Sequence, residues 1–493
     1  MIKPAGVALI ILLFFAFNIF FIIKFHRKQD SFEEYSVGNR SFGWLLYSFS
    51  FLGYWYAGAL YISGFSLSAN KGILSQYLTV YAVASLVILY FMAKPVWVWG
   101  KNYNLVTQAD FIGLRYGNKL FKTIFSFLTL IFWFPWIIIE MKTIGYIVAL
   151  TTYSYINSNA GMIIVCLFVI VYTFYGGVRA SAIGSMIQSF AFIGLGSLVT
   201  GYLIWKIFGG LYTIFPMVES AKPYLLTLDW RDNGHHWASI IITGTLGGFA
   251  FPDMFKQLYT ADSPRTIKKI VFIAPVVAIM IRFSLFTLGL GCFLISGFPL
   301  KSNFSLFWLA DSFGGPILLG LFAVISLSAS MSTFSAIIST SAIMVCKDWL
   351  GAAFRGLSPQ SMLKLAKGLT IVIGIISLYI ATIQIDNLLN IAVIMFDLIV
   401  QAIIPLFIGQ YWRKSNLYGA FGGMTVGIVI TLMGNFYPQA FQWTGGWSPG
   451  IIGLVVNLFI HIACGFVFGK QKHVDEMFDT VKFYKDPHLR KAI

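Results

Sequence analysis

The chain has 493 residues, 58% hydrophobic, 17% aromatic and only 11% charged, with 34 Lys and Arg against 18 Asp and Glu. A soluble domain carries about 25% charged residues, so this balance excludes a soluble enzyme or binding module and gives an all-α polytopic membrane protein. Four cysteines (Cys166, Cys292, Cys346 and Cys464) lie in or beside apolar runs without CxxC or metal-ligand spacing, as small buried residues do.

A bilayer crossing takes about 20 apolar residues. The first run, Ala5–Ile23, leads almost at once into Phe25-His26-Arg27-Lys28 with no small-residue cleavage site, so residues 1–24 read as an extra, retained transmembrane helix. Runs at 42–69, 73–93, 123–151, 160–175, 182–208, 237–255, 270–296, 312–345, 368–384, 386–411, 417–436 and 449–469 bring the expected total to thirteen. Residues 42–412 form the expected ten-helix core, 413–469 two C-terminal spans and 470–493 a short cytoplasmic tail, too short for an appended enzyme domain.

With the N-terminus outside, the inner segments 24–41, 94–122, 177–181, 256–269, 346–367, 412–416 and the tail from Gly469 hold 26 of the 34 Lys and Arg. Six lie toward the other side (Lys3, Lys71, Lys206, Lys222, Arg231 and Lys301), and Lys142 and Arg282 lie within spans. This bias predicts a multi-pass protein of the plasma (inner) membrane with its N-terminus outside and its C-terminus in the cytoplasm. It also reads the net charge of +16 as a topology signal, not a nucleic-acid footprint.

Two spans are interrupted. Gly53, Gly58 and Gly64 punctuate 42–69, and Gly244, Gly247 and Gly248 precede Pro252 in 237–255. Glycine weakens a helix, and proline removes a donor and frees an upstream carbonyl. Setting the first span aside, these are the first and sixth core helices, and paired broken helices at matching positions mark an inverted-repeat transporter. The eighth core span carries no charge from Phe313 to Val345, yet seven residues between Ser326 and Ser341 are Ser and two are Thr. Helix packing explains many hydroxyls in a membrane. Adjacent Ser332 and Thr333, with Ala329 one turn back, also suit a hard cation when set against opened backbone near Gly53 and Tyr56.

Other polar groups stand in or beside apolar runs. Glu140 and Lys142 are two apart on the third core span and need separate partners, or Lys142 snorkels. Asp397, in the tenth, is a candidate coupling carboxylate, with pairing to Arg282 as the structural alternative. Asp253, after Pro252, reads as a gate residue or a solvated helix-end carboxylate. Tyr54, Trp55, Phe249 and Phe251 on the broken helices, with Gln76 and Tyr77 opening the second core helix, are candidate solute-pocket residues, against plain packing for each ring singly. His235-His236 reads as surface loop, since adjacent histidines point apart and no carboxylate stands in ligand spacing.

Several stretches, in order, carry a resemblance: Gly38-Asn39-Arg40-Ser41-Phe42-Gly43, Thr107-Gln108-Ala109-Asp110-Phe111 with Arg115-Tyr116-Gly117, and Tyr172-Thr173-Phe174-Tyr175-Gly176-Gly177-Val178-Arg179-Ala180 with Gln188. Phe249 to Ser263, Met331-Ser332-Thr333 with Ser335 and Asp348, and Pro405, Trp412-Arg413, Gly419-Ala420 and Gly422-Gly423-Met424 continue it. Over roughly residues 35–470 the chain resembles the sodium:solute symporter family, most of all its bacterial sodium/proline branch. The resemblance implies thirteen helices around a five-plus-five, leucine-transporter-like core with broken first and sixth helices. It implies alternating-access import of a small solute with Na⁺, held by the Ser332 and Thr333 side chains and backbone oxygens of Gly53, Tyr56 and Ala329. The chain departs from the branch at Trp55, where an aspartate stands, at Ala57, where a serine stands, and at Gly184-Ser185, where the family often has Thr-Asp. The reading is therefore a transporter, not an enzyme, that imports a small organic solute with a cation. Na⁺ is the expected ion; proton-coupled or uncoupled transport and a transporter-like solute sensor are the alternatives.

Overall fold

In the computed structural model, residues 2–25, 29–228, 230, 234–300, 304–354, 357–383 and 388–484 are described. The expectations for Arg27, Lys28, Arg231, Lys301 and the tail beyond 484 lie outside them. The helices are α1 (Ile2–Lys24), α2 (Trp44–Trp55), α3 (Gly58–Lys71), α4 (Tyr77–Asn102), α5 (Gln108–Tyr116), α6 (Lys119–Thr151), α7 (Ser158–Phe190), α8 (Gly196–Phe208) and α9 (His235–Gly247). They continue with α10 (Pro252–Gln257), α11 (Pro264–Gly291), α12 (Ser305–Met344), α13 (Pro359–Thr382), α14 (Leu388–Ile399), α15 (Leu417–Phe436), α16 (Pro449–Phe468) and α17 (Val474–Lys482).

Several starts are written in the sequence. Ser263, Ser358 and Ser448 each cap a helix whose first residue is proline, and Thr107 forms a capping box with Asp110. Among the described residues, eleven helical stretches are long and apolar enough to cross a membrane. Two of them, Tyr61–Asn102 and Ser158–Phe208, run to 42 and 51 residues, roughly twice one crossing. Gly72 and Gly177, both at φ 53°, break them. Ser158–Phe208 therefore holds two of the expected spans, 160–175 and 182–208, and Tyr61–Asn102 holds 73–93 with the end of 42–69. Gly177 needs that backbone for a second reason, because a Cβ there would sit 2.5 Å from the Tyr35 ring.

The helix α12 is the axis of the protein: every residue from Phe322 to Met344 is buried. It packs against α7, α6, α3, α2, α1 and α13. Its hydroxyls thus face protein, not lipid. The start of the first broken helix meets the exit of the sixth through a backbone bridge between Phe42 and Ala261, so these two helix ends are held together. The tail is less solvated than its charge suggests. Val474 and Met477 of α17 are buried, Trp99 Nε1 donates to the Met477 carbonyl at 2.6 Å, and Arg413 pairs with Asp475.

Candidate functional site

The first break follows α2. Tyr56 leaves helical geometry (φ −101°, ψ 81°), Ala57 is extended, and α3 resumes at Gly58. Ser332 Oγ of α12 donates to the Gly53 carbonyl at 2.7 Å and to the Ala329 carbonyl at 2.9 Å, while Thr333 Oγ1 donates to Ala329 at 3.1 Å. Four neutral oxygens from two elements thus converge in a buried spot, a donor set of the kind hard cations take. Tyr56 belongs to the same break. Its hydroxyl donates to the Ala274 carbonyl at 3.3 Å, and the Arg282 guanidinium lies 6.0 Å from its ring centre. The approach of the backbones depends on glycine: a Cβ at Gly53 would lie 2.8 Å from Ser189 Oγ, and one at Gly58 2.0 Å from Ser330 Oγ.

The second break falls between α9 and α10, where Phe251 is extended and Pro252 opens the new helix. Rings fill the space between the two breaks. Trp55 stacks on Phe249 at 5.5 Å and on Phe51 at 6.0 Å, and Phe251 stacks on Trp133 at 4.0 Å. They leave a small cavity of about 40 Å³, room for little more than a water. Tyr54, Trp55, Phe251, Asp253, Arg282 and Thr333 line it, together with Tyr81, Trp133, Trp136, Met254 and Phe396. The candidate cation oxygens and the aromatic cavity are therefore contiguous through Thr333.

The remaining sequence candidates fall elsewhere. Phe249 backs Trp55 from outside the cavity lining. Gln76 and Tyr77 stand at the junction of the turn 72–76 with α4 and do not line the cavity. Asp397 accepts from Ser448 Oγ at 3.2 Å and from the Gly450 amide at 3.3 Å, so it holds the first turn of α16. Lys142 donates to the Ile383 carbonyl at 2.6 Å and closes the end of α13. His235 packs on Trp447, and no group of three or more metal-ligating residues occurs among the described residues. Sequence reasoning missed Tyr81, Trp133, Trp136, Met254 and Phe396, because one aromatic among many carries no positional signal.

A second polar cluster lies at the end of the molecule that holds α5. Asp110 accepts from the Val106 and Thr107 amides at 2.9 and 3.2 Å and meets Lys122 at 2.6 Å and Lys347 at 2.7 Å. Burial pushes its carboxyl up, but the Lys347 and Lys122 ammonium groups outweigh it and hold the carboxyl well below the usual range. Asp348 joins through Lys122 at 3.2 Å and Thr107 Oγ1 at 3.0 Å. This network ties α5 to the start of α6 and the end of α12. Arg115 of α5 reaches the Gly409 carbonyl at 2.6 Å and so ties in the end of the tenth core span.

The chain is similar to known transporters. A symporter of uncharacterised substrate from Bacillus subtilis (strain 168), YhjB, is 24% identical over 92% of this chain and 96% of its own. A monocarboxylic acid transporter from Corynebacterium glutamicum is 21% identical over 92% and 90%. The solved substrate-bound, outward-open structure of a Na⁺-coupled sialic acid symporter superposes with a TM-score of 0.79 at 18% identity, covering 96% of this chain and 98% of that one. It shows the same inverted-repeat transporter fold. The family model described as the sodium:solute symporter family matches residues 35–427, and the chain belongs to that family, as a secondary transporter that couples solute movement to Na⁺.

Proposed function

We propose that this transporter imports a small organic acid anion together with Na⁺. The observation that carries the reading is the cavity between the two breaks, where the Arg282 guanidinium joins a box of rings beside Thr333. A guanidinium is the side chain best shaped for a carboxylate, and flat rings suit an apolar or planar body. The names of the monocarboxylic acid and sialic acid carriers support the same class. Trp55 fills space in the first break, which argues for an acid other than proline and for a position outside the proline branch. Na⁺ occupies the oxygens of Ser332, Thr333, Ala329, Gly53 and Tyr56. With so small a volume the rings must part before a solute enters, as alternating access requires. The Lys and Arg distribution supports an inner-membrane protein with its N-terminus outside and residues 42–412 as the transport core.

The test is uptake into proteoliposomes. Labelled monocarboxylates and their neutral amides are offered under an inward Na⁺ gradient and, in parallel, under choline. The expected result is Na⁺-dependent uptake of acids only, lost in Arg282→Gln. Equal uptake of acid and amide, or wild-type uptake of acids by the variant, contradicts the anion class.

A further inference from the structure

The candidate cation oxygens are all neutral, and Arg282 adds a positive charge nearby. A cation taken into a buried site without a counter-charge carries a large desolvation cost. Two buried carboxylates stand nearby: Asp253, which lines the cavity one turn from Lys256, and Glu140, which is not used by anything described so far. Glu140, in the middle of α6, is fully buried. Its Oε1 accepts the Ala59 amide at 3.4 Å, and its Oε2 has no hydrogen-bond partner among the described residues. The Ser330 hydroxyl faces the same carboxyl. A fully buried carboxylate thus has one amide and one hydroxyl about it, few donors for a charge in a native interior. Ala59 lies three residues beyond Tyr56, and Ser330 is the neighbour of Ala329, so the carboxyl touches both strands of chain that frame the candidate site.

Other charges do not take this role. The charged groups on the elements packed against α6 are Lys71 on α3, Asp110 and Arg115 on α5, Arg179 on α7, Asp253 and Lys256 on α10, Asp311 on α12, Lys347 and Asp348 just beyond it, Lys364 and Lys367 on α13 and Asp397 on α14. Glu140 meets none of them; its neighbours are the Ala59 amide and the Ser330 hydroxyl. Asp253 and Lys256 sit one turn apart and offset each other, and Asp397 is engaged by Ser448 and Gly450.

We propose that Glu140 is the fixed negative charge of the Na⁺ site: it neutralises the ion across the break in the first core helix and positions Ser330 and the α3 N-terminus around it. The inference rests on the Na⁺ site assigned under Proposed function. When the ion enters, the carboxylate keeps the Ala59 amide as a donor at the start of α3, so ion binding and closure of the broken helix reinforce each other.

The experiment is equilibrium binding of ²²Na⁺ to purified protein for wild type, Glu140→Gln, Glu140→Asp and Ser332→Ala/Thr333→Ala. Removing one charge several ångströms from the ion at an intermediate dielectric is worth about 10- to 30-fold in affinity. Glu140→Gln is expected to lose that much; Glu140→Asp, which keeps the charge, is expected to lie nearer wild type. Wild-type affinity in Glu140→Gln, with binding abolished in the Ser332/Thr333 variant, overturns the inference and leaves the site standing. Loss of equal size in the Asp and Gln variants also overturns it, because shape then matters and charge does not. Undiminished binding in the Ser332/Thr333 variant overturns the site itself, and the inference falls with it. Should Glu140→Gln not fold, Glu140→Ala takes its place, and wild-type Na⁺ affinity in that variant overturns the role of Glu140.

Discussion

The closeness of α3 to α12 makes Gly58→Ala a decisive perturbation. A Cβ at Gly58 would lie 2.0 Å from Ser330 Oγ, 2.9 Å from Ser330 Cβ and 2.6 Å from the Ser330 backbone nitrogen, where ordinary contact begins at 3.4 Å. A serine rotamer change relieves the first of these and not the last. The two helices must separate by about 0.8 Å, an overpacking that costs about 1–3 kcal/mol. The opposing gain from alanine's helix propensity is at most about 1 kcal/mol, and less at the first position of a helix. The separation opens the Gly53 and Ala329 carbonyls relative to each other, so the cost divides between the thermal midpoint and ion binding, where a rise in the Na⁺ dissociation constant of at most about 150-fold is expected. Adding Ser330→Ala removes the hydroxyl clash and leaves the backbone one, so the double variant recovers only part of the affinity. The assay is Na⁺ titration of purified protein alongside its thermal midpoint. Gly58→Ala with wild-type affinity and wild-type midpoint refutes the close packing and the site geometry built on it.

Three further outcomes follow from the same geometry. Asp110→Asn removes the shared partner of Lys122 and Lys347 and is expected to cost about 3 kcal/mol, at the lower end for buried pairs because both lysines are partly exposed; a thermal midpoint equal to that of an exposed-carboxylate variant such as Glu219→Gln contradicts this. Since the folded Asp110 carboxyl lies below its unfolded value near about 3.9, its contribution is whole at neutral pH, starts to fall below about pH 4 and is lost as pH passes down through the folded value, whereas Asp110→Asn lacks that acid-sensitive part. Asp397→Ala is expected to loosen the start of α16 by about 1.5–3 kcal/mol through its two lost acceptors, read as faster proteolysis near residues 438–448; unchanged cleavage there contradicts the assignment.

Much of the fold was legible because the bilayer enforces it. Length of apolar run, Lys and Arg beside helix ends, and Gly and Pro at the two breaks each answer to one constraint: backbone groups must be satisfied inside lipid. The Ser332/Thr333 pair was legible for the same reason, since hydroxyls in an uncharged span face protein. The cavity lining was not. Trp133, Trp136 and Phe396 become special only when α6 and α14 meet the breaks, and 17% of the chain is aromatic. In-span charges split three ways that no local spacing distinguishes: Lys142 closes a helix end, Asp397 holds a helix start, and Arg282 enters the cavity. The packing of the tail was not legible, because an amphipathic segment of mixed charge buries one narrow face, Val474 and Met477, that composition averages away.

The central claim is that Ser332 and Thr333 of α12, with the carbonyls exposed by the break in the first core helix, hold the coupling Na⁺. Its most direct test is titration of intrinsic tryptophan fluorescence with NaCl against choline chloride, since Trp55, Trp133 and Trp136 line the adjoining cavity. A saturable Na⁺-specific change in wild type that disappears in Ser332→Ala/Thr333→Ala is the predicted result. A saturable Na⁺ response of wild-type size in that variant, or a response that choline reproduces, contradicts the claim.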